Sequence, residues 1–414
     1  MSWKSHLQAP EKYFRIIFKW SLLSLLMGCV GGLLGAGFHH LLHGVTHLRA
    51  EHNWLIFLLP IGGMVSVLVY HLCHLTGNRG TNEIIDAVLE NNSVKTLISP
   101  TVIVGSTITH LFGGSGGREG AALQIGASAA SFMSKAFRLD KAERRVLIMS
   151  GMSAVFSGLF GTPMTACLFT LEFGSVGTIF TPALFPCYIA AFMACEGSRL
   201  LGVHAETHMI AELFSITRAN SWRYFILAAL IAILGILMCE TFHKAEHLAK
   251  HYLPNQYLRI ALGGSAIVVL TLLAGDHRFN GAGMDMAMAA LVGEADWYSF
   301  IAKLVFTAVT LAAGFKGGEI VPTFCIGATF GCVAGGLLGL DPGFAAALGL
   351  IGLFCSATNS PLASIVLSVE MFGGTNLPMF ALICVITFAA SGHIGLYASQ
   401  VLQYSKMSMR DETK

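Results

Sequence analysis

One turn limits what this chain can become. From Gly113 to Ala130 the sequence reads G-G-S-G-G-R-E-G-A-A-L-Q-I-G-A-S-A-A. A glycine-rich loop carries one basic and one acidic residue, Arg118 and Glu119, and then enters a helix of small, uncharged residues. The surroundings are strongly apolar, which places Glu119 at membrane depth, where an ionisable group marks a functional site. A helix that begins inside the membrane presents its first N–H groups to whatever lies ahead of it, and that arrangement favours an anion.

Composition agrees with the turn. Hydrophobic residues make up 54% of the chain and charged residues 12%, about half the charged share of a soluble domain. The fold class expected is an all-α integral membrane protein. Val146 to Leu171, Ile320 to Leu340 and Met371 to Ser405 are each long enough to span, since about 20 apolar residues suffice. The net charge of +2 gives no sign of nucleic acid binding. Basic residues cluster at Lys4, Lys12, Arg15 and Lys19, at Lys406, Arg410 and Lys414, and between Lys135 and Arg145. By the positive-inside rule both termini are expected in the cytoplasm. The ten cysteines include no C-x-x-C pair, and nearly all lie in apolar runs. They read as small core residues, with no metal site and no cofactor expected.

Many apolar segments are interrupted, at Gly62-Gly63, Gly77 to Gly80, Gly161-Thr162-Pro163, Thr181-Pro182, Gly281 to Gly283, Gly317-Gly318 and Ser360-Pro361. Broken helices are tolerated in lipid only where protein or a watery cavity covers the free backbone groups. The interruptions also repeat. Phe38, His39, His43 and His47 recur 204 residues later as Phe242, His243, His247 and His251. Gly116-Gly117 and Ile125-Gly126-Ala127 recur after 201 as Gly317-Gly318 and Ile326-Gly327-Ala328. Gly151, Phe156, Pro163 and Glu172 recur after 198 as Gly349, Phe354, Pro361 and Glu370. Paired broken helices in two internal halves point to a transport site between them. The expected organisation is a tail over 1–12, a first transmembrane repeat over 13–205, an interfacial connection over 206–220, a second repeat over 221–405 and a tail over 406–414. The residues leave open whether the halves are inverted or parallel.

Glu119 and Glu319 head the two repeated turns, G-G-R-E-G and G-G-E-I-V-P. Aligned on the shared I-G-A, Glu319 lies opposite Arg118, and Ile320 opposite Glu119. A carboxylate there competes with an anion when charged and yields when protonated, and burial makes proton uptake feasible. The plain alternative is a carboxylate capping its own helix. Gly77-Asn78-Arg79-Gly80-Thr81 is a third glycine turn, before the amphipathic stretch 82–89, and an Asn amide can donate two hydrogen bonds. Its plain reading is an ordinary loop. Tyr397 falls in a C-terminal apolar helix and could donate one hydrogen bond or anchor at an interface. Glu172 and Glu370, each at the end of an apolar run, suggest helix-end hydrogen bonding. His243, Glu246 and His247 fit H-x-x-E-H, an inverted zinc-peptidase pattern. The repeat partner His39 to His43 has no Glu, so a histidine stripe explains the spacing without zinc.

These motifs resemble the CLC family of chloride channels and anion/proton antiporters. G-R-E-G at Gly117 to Gly120 matches the family's gating-glutamate motif. Gly151 to Pro163 resembles another family block, Gly317 to Pro322 looks like its G-G-x-F-x-P loop, and Tyr397 falls where its pore tyrosine is expected. Four departures stand out. Asn78 occupies the place of the anion-binding Ser, Ala121 replaces Pro after G-R-E-G, and Glu319 and Ile320 replace an apolar residue and Phe. The first-half block ends Glu172-Phe173, without the usual internal proton-transfer acid. An absent pore Ser with an acid in the second loop resembles the fluoride-exporting (CLC-F) branch.

That resemblance implies a homodimer of inverted-repeat subunits built from many tilted and broken helices, in a bacterial inner membrane, with fluoride and protons as the transported partners. It implies Glu119 as gate and proton carrier, Glu319 as a second acid on the ion path, and Asn78 and Tyr397 as anion donors. Backbone N–H groups near Gly120, Ile320 and Val321 assist, with Arg118, Gly117, Gly317 and Gly318 structural beside the site. The rival expectations are chloride/proton exchange, a passive chloride channel of the same fold, or an intramembrane zinc enzyme.

Overall fold

A computed structural model describes residues 3–205, 207–210, 212–214, 220–403 and 406. The described residues form sixteen α-helices, and these fall into two series of eight that follow the same order. The first series is α1 (Trp3–Glu51), α2 (Leu59–Leu72), α3 (Thr81–Leu89), α4 (Ile98–Leu111), α5 (Glu119–Ala136), α6 (Lys141–Phe160), α7 (Pro163–Glu172) and α8 (Leu184–Leu200). The second is α9 (Ser221–Tyr252), α10 (Gln256–Ala274), α11 (Met284–Leu291), α12 (Ser299–Ala313), α13 (Ile320–Leu337), α14 (Pro342–Thr358), α15 (Pro361–Phe372) and α16 (Leu377–Ala390). Helix α1 is already formed at Trp3, so the stretch 3–12, expected as a tail, belongs to its first turns. Of the connection expected over 206–220, residues 207–210, 212–214 and 220 are described, and the tail expected over 406–414 lies outside the described residues except for Lys406.

Two of the three expected continuous spans are broken. Val146 to Leu171 divides into α6 and α7, because Gly161 takes a left-handed φ of 72° and Pro163 starts a new helix. Met371 to Ser405 breaks after Phe372, where Gly373 has φ 83°, and α16 stops at Ala390. Tyr397 therefore lies in a loop and not in a helix. The two-residue strands β1 (Ser175–Val176) and β2 (Val401–Leu402) pair in parallel and hold that loop against the end of α7. Among the described residues five helical segments are long and apolar enough to cross a membrane: Tyr13–Glu51, Asn53–Leu72, Ser221–Tyr252, Gln256–Ala274 and Ile320–Leu337.

The repeated residues have repeated work. Asp140 caps α6 by accepting from Glu143 N, and Asp341 caps α14 by accepting from Phe344 N. Gly126 on α5 crosses Gly151 on α6 so closely that a Cβ at Gly126 would stand 2.1 Å from the Gly151 carbonyl oxygen; at the matching crossing a Cβ on Gly327 would stand 2.4 Å from that of Gly349. Small residues allow such helix–helix approach in the membrane.

The halves are inverted. Glu172, the last residue of α7, accepts from Leu362 N at 3.2 Å and Ala363 N at 2.9 Å, at the start of α15. Glu370, near the end of α15, accepts from Met164 N at 2.8 Å and Thr165 N at 2.9 Å, at the start of α7. Each helix end reaches the other's beginning, so α7 and α15 run antiparallel. A reciprocal contact between antiparallel equivalents requires a two-fold axis perpendicular to the helices. The expected helix-end hydrogen bonding is present, and it crosses between the repeats.

Candidate functional site

The two glycine turns meet. Gly117 N donates to Gly318 O and Gly318 N donates to Gly117 O, both at 2.7 Å, so an isolated antiparallel bridge joins the repeats. Helices α5 and α13 begin one or two residues beyond it, and their N-termini converge there. Between the turns lies the Glu119 carboxylate, fully buried. A Cβ on Gly117 would stand 2.3 Å from Glu119 Oε2, and one on Gly318 would stand 2.2 Å from the same atom. Only glycine leaves this cradle open. The backbone N–H groups of Arg118, Glu119 and Val321 face the carboxylate, yet neither of its oxygens reaches a partner in hydrogen-bond geometry. Amides from both repeats thus surround one acidic group without binding it tightly. Glu319, at the N-cap of α13, makes no side-chain cap hydrogen bond, and the Glu119 oxygens have no hydrogen-bond partner in the first turn of α5.

The two sides of Glu119 differ. On one side Arg118 meets His39 at 3.3 Å and lies 5.1 Å from the Phe160 ring centroid. On the other, Tyr397 is buried and its hydroxyl has no hydrogen-bond partner among the described residues. The Tyr397 loop is tied to α9 where His243 meets Leu396 O at 3.2 Å. Glu319, at the N-cap of α13, is partly buried. A column of rings links the two sides: Tyr397 to Phe173 at 5.2 Å, Phe173 to Phe169 at 5.4 Å, Phe169 to Phe156 at 5.7 Å and Phe156 to Phe160 at 4.8 Å. Phe156, Phe324 and Phe354 also enclose a small cavity of about 30 Å³ beside Glu119, so the carboxylate has an apolar wall.

Asn78 is engaged elsewhere. Its Nδ2 donates to Glu83 Oε2 at 2.6 Å and its Oδ1 accepts from Gly80 N at 3.0 Å, which closes the turn locally. The same loop instead brings Thr81 and Asn82 to the site. A Cβ on Gly120 would stand 2.9 Å from the Thr81 hydroxyl, and Asn82 Oδ1 accepts from Ser399 N at 3.0 Å, two residues beyond Tyr397. The two Asn residues lie four apart in one motif, and only the fold tells them apart.

Sequence reasoning also passed over Lys303. It is fully buried on α12 and donates to Ser115 Oγ at 3.0 Å, Phe279 O at 3.1 Å and Gly281 O at 2.7 Å. Ser115 N in turn donates to Thr310 Oγ1 at 3.0 Å. Lys303 thus braces the turn that carries Glu119. One signal was available: it is the single charged residue in the apolar run 299–313. His243, Glu246 and His247 do not converge, because His243 faces the Leu396 carbonyl and Glu246 pairs with Lys250. No group of three potential metal ligands is found among the described residues.

A model of the voltage gated chloride channel family matches residues 61–392. A chloride/fluoride channel protein of Pseudomonas syringae pv. tomato is 34% identical over 397 residues, covering 94% of this chain and 88% of that protein. The chain belongs to the voltage-gated chloride channel, or CLC, family. Within it, the crystal structure of a CLC-type fluoride/proton antiporter superposes with a TM-score of 0.91 at 32% identity, covering 94% of this chain and 99% of that one. The H(+)/Cl(-) exchange transporter ClcA of Citrobacter koseri is more distant, at 24% identity over 84% of this chain and 80% of that protein.

Proposed function

We propose that this protein is a fluoride/proton antiporter that exports fluoride across the cell membrane, driven by inward proton movement, as a homodimer with one pathway per subunit. One observation carries the reading: the Glu119 carboxylate lies unbonded between amide-bearing turns from both repeats. That place suits an anion equally well. Charged, Glu119 occupies it; protonated, it leaves, and a fluoride takes the amides. Alternation between the two couples anion movement to proton movement.

The surrounding residues favour fluoride over chloride. Fluoride is small and tightly hydrated, so stripping its water requires strong donors. The Tyr397 hydroxyl, which has no protein partner among the described residues, replaces that water together with the Asn82 amide and the Thr81 hydroxyl. Each unmet hydrogen bond to a buried charge costs about 1–3 kcal/mol or more, and chloride asks less of its hosts. Glu319 is the second acid on the path, and Phe173 stands where an internal proton-transfer acid would otherwise be. The similarity to the antiporter structure and to the Pseudomonas protein supports the same choice.

The test is paired ion flux from proteoliposomes. Fluoride efflux should be accompanied by proton uptake in fixed ratio, and Glu119→Gln should abolish proton coupling and most exchange. Fluoride efflux untouched by that substitution would remove the assignment. Chloride moving as readily as fluoride would favour a chloride/proton exchanger, and halide flux without protons a passive channel.

A further inference from the structure

A second cavity, of about 230 Å³, shares no lining residue with the cavity beside Glu119. Arg145, Ser175, Thr178, Phe180 and Gln403 line it. Leu171 and Gly174 complete its wall and bracket Phe173, whose ring meets Tyr397 edge-on. Phe173 thus links the segment that walls this cavity to Tyr397.

Arg145 is the unusual member. Its guanidinium lies 3.9 Å from the centroid of the Phe180 ring, which fixes the side chain across the cavity. Its Nε is buried and has no acceptor, and no carboxylate or carbonyl bonds the group among the described residues. The neighbouring Arg144, by contrast, donates to Asn91 O at 2.7 Å. A guanidinium offers five donors in a planar fork; Arg145 is half-buried, and its Nε, withdrawn from water without an acceptor, is costly. An anion relieves that cost through charge-assisted hydrogen bonds. The Ser175 and Thr178 hydroxyls and the Gln403 amide supply further donors in the same cavity.

We infer that this cavity is an anion-capture site at the mouth of the pathway on the Tyr397 side, with Arg145 as the charge that draws in a small monovalent inorganic anion, fluoride under transport conditions. The inference rests on the transport reading above. A water molecule takes about 30 Å³ of liquid volume, so the cavity holds the anion with part of its hydration shell. Capture is therefore weak and concentrates the anion, while dehydration and selection are left to Tyr397 and the glycine turns. The site governs the concentration dependence of transport and leaves the coupling ratio alone.

Arg145→Gln and Arg145→Lys in the full-length protein test this. Fluoride efflux is measured against internal fluoride at constant ionic strength, with proton uptake in parallel. For Arg145→Gln the half-saturating fluoride concentration should rise about fivefold, the size expected for one partly solvated charge contact, with unchanged maximal rate and unchanged proton ratio. Arg145→Lys should recover most of that shift. An unchanged half-saturation in a variant with normal melting temperature, or a fall in maximal rate alone, overturns the site. Bromide soaked into crystals of the unmodified protein gives an independent readout: anomalous density within about 4 Å of the guanidinium, a salt-bridge distance, supports it. A cavity empty of bromide, or filled by a lipid phosphate, overturns it. Unmodified protein that carries no coupled fluoride flux would fail the transport reading, while the bromide result still decides this one.

Discussion

Gly117 and Gly318 exchange backbone hydrogen bonds in both directions, N to O at 2.7 Å each way, although 201 residues separate them. The bridge fixes the distance between the starts of α5 and α13 and sets the width of the space in which Glu119 lies. A side chain on either glycine would collide with the carboxylate. Gly318→Ala is expected to displace Glu119 and lower coupled fluoride efflux by roughly 100-fold, the scale of a misplacement of about 1 Å at a reacting group. The check is flux from proteoliposomes together with size-exclusion chromatography, so that loss of function is separated from loss of fold.

Tyr397→Phe removes one hydroxyl and keeps the ring contact with Phe173. Fluoride transport should weaken about fivefold relative to chloride, the equivalent of one ordinary hydrogen bond of about 1 kcal/mol. Competition between the two halides in one efflux assay measures it. Unaltered selectivity would remove the hydroxyl from the anion's coordination.

Asn82→Ala and Asn78→Ala separate two residues of one loop. Loss of the Asn82 amide, next to the Tyr397 loop, should reduce fluoride flux about tenfold. Asn78, already bonded to Glu83 and Gly80, should change flux little and act only on loop stability. The reverse ranking would return Asn78 to the pathway.

Glu172→Gln and Glu370→Gln each weaken a carboxylate cap across the repeat interface. Each should cost about 1–3 kcal/mol, seen as a lower melting temperature in detergent, and the two should be alike because the contacts are related by the two-fold axis. The fluoride-to-proton ratio should not move for either. A changed ratio for Glu172→Gln alone would make it a proton carrier and not a cap.

Much of this was legible in the linear chain. The membrane setting follows from long apolar runs, because lipid admits few charges. The glycine turns, the recurrence near 200 residues and the place of Glu119 at a helix start follow from local spacing. Where reading failed, the missing information was tertiary. The run from Met371 to Ser405 is apolar throughout, but β1 pairing with β2 and the turn at Gly373 draw Tyr397 out of any helix. Lys303 was visible as a lone charge but gained meaning only from Ser115, Phe279 and Gly281.

The residues by themselves determined that this chain is a duplicated membrane protein with an acid at each interrupted helix, since composition and periodicity act over short stretches and are written in order. The fold alone decided that the duplicates are inverted, that Glu172 and Glu370 serve each other's helices, that Asn82 rather than Asn78 stands beside Tyr397, and that Arg145 faces a cavity. Those outcomes depend on which distant segments share space, and that is settled by close packing of glycine surfaces and by pairing of buried backbone groups.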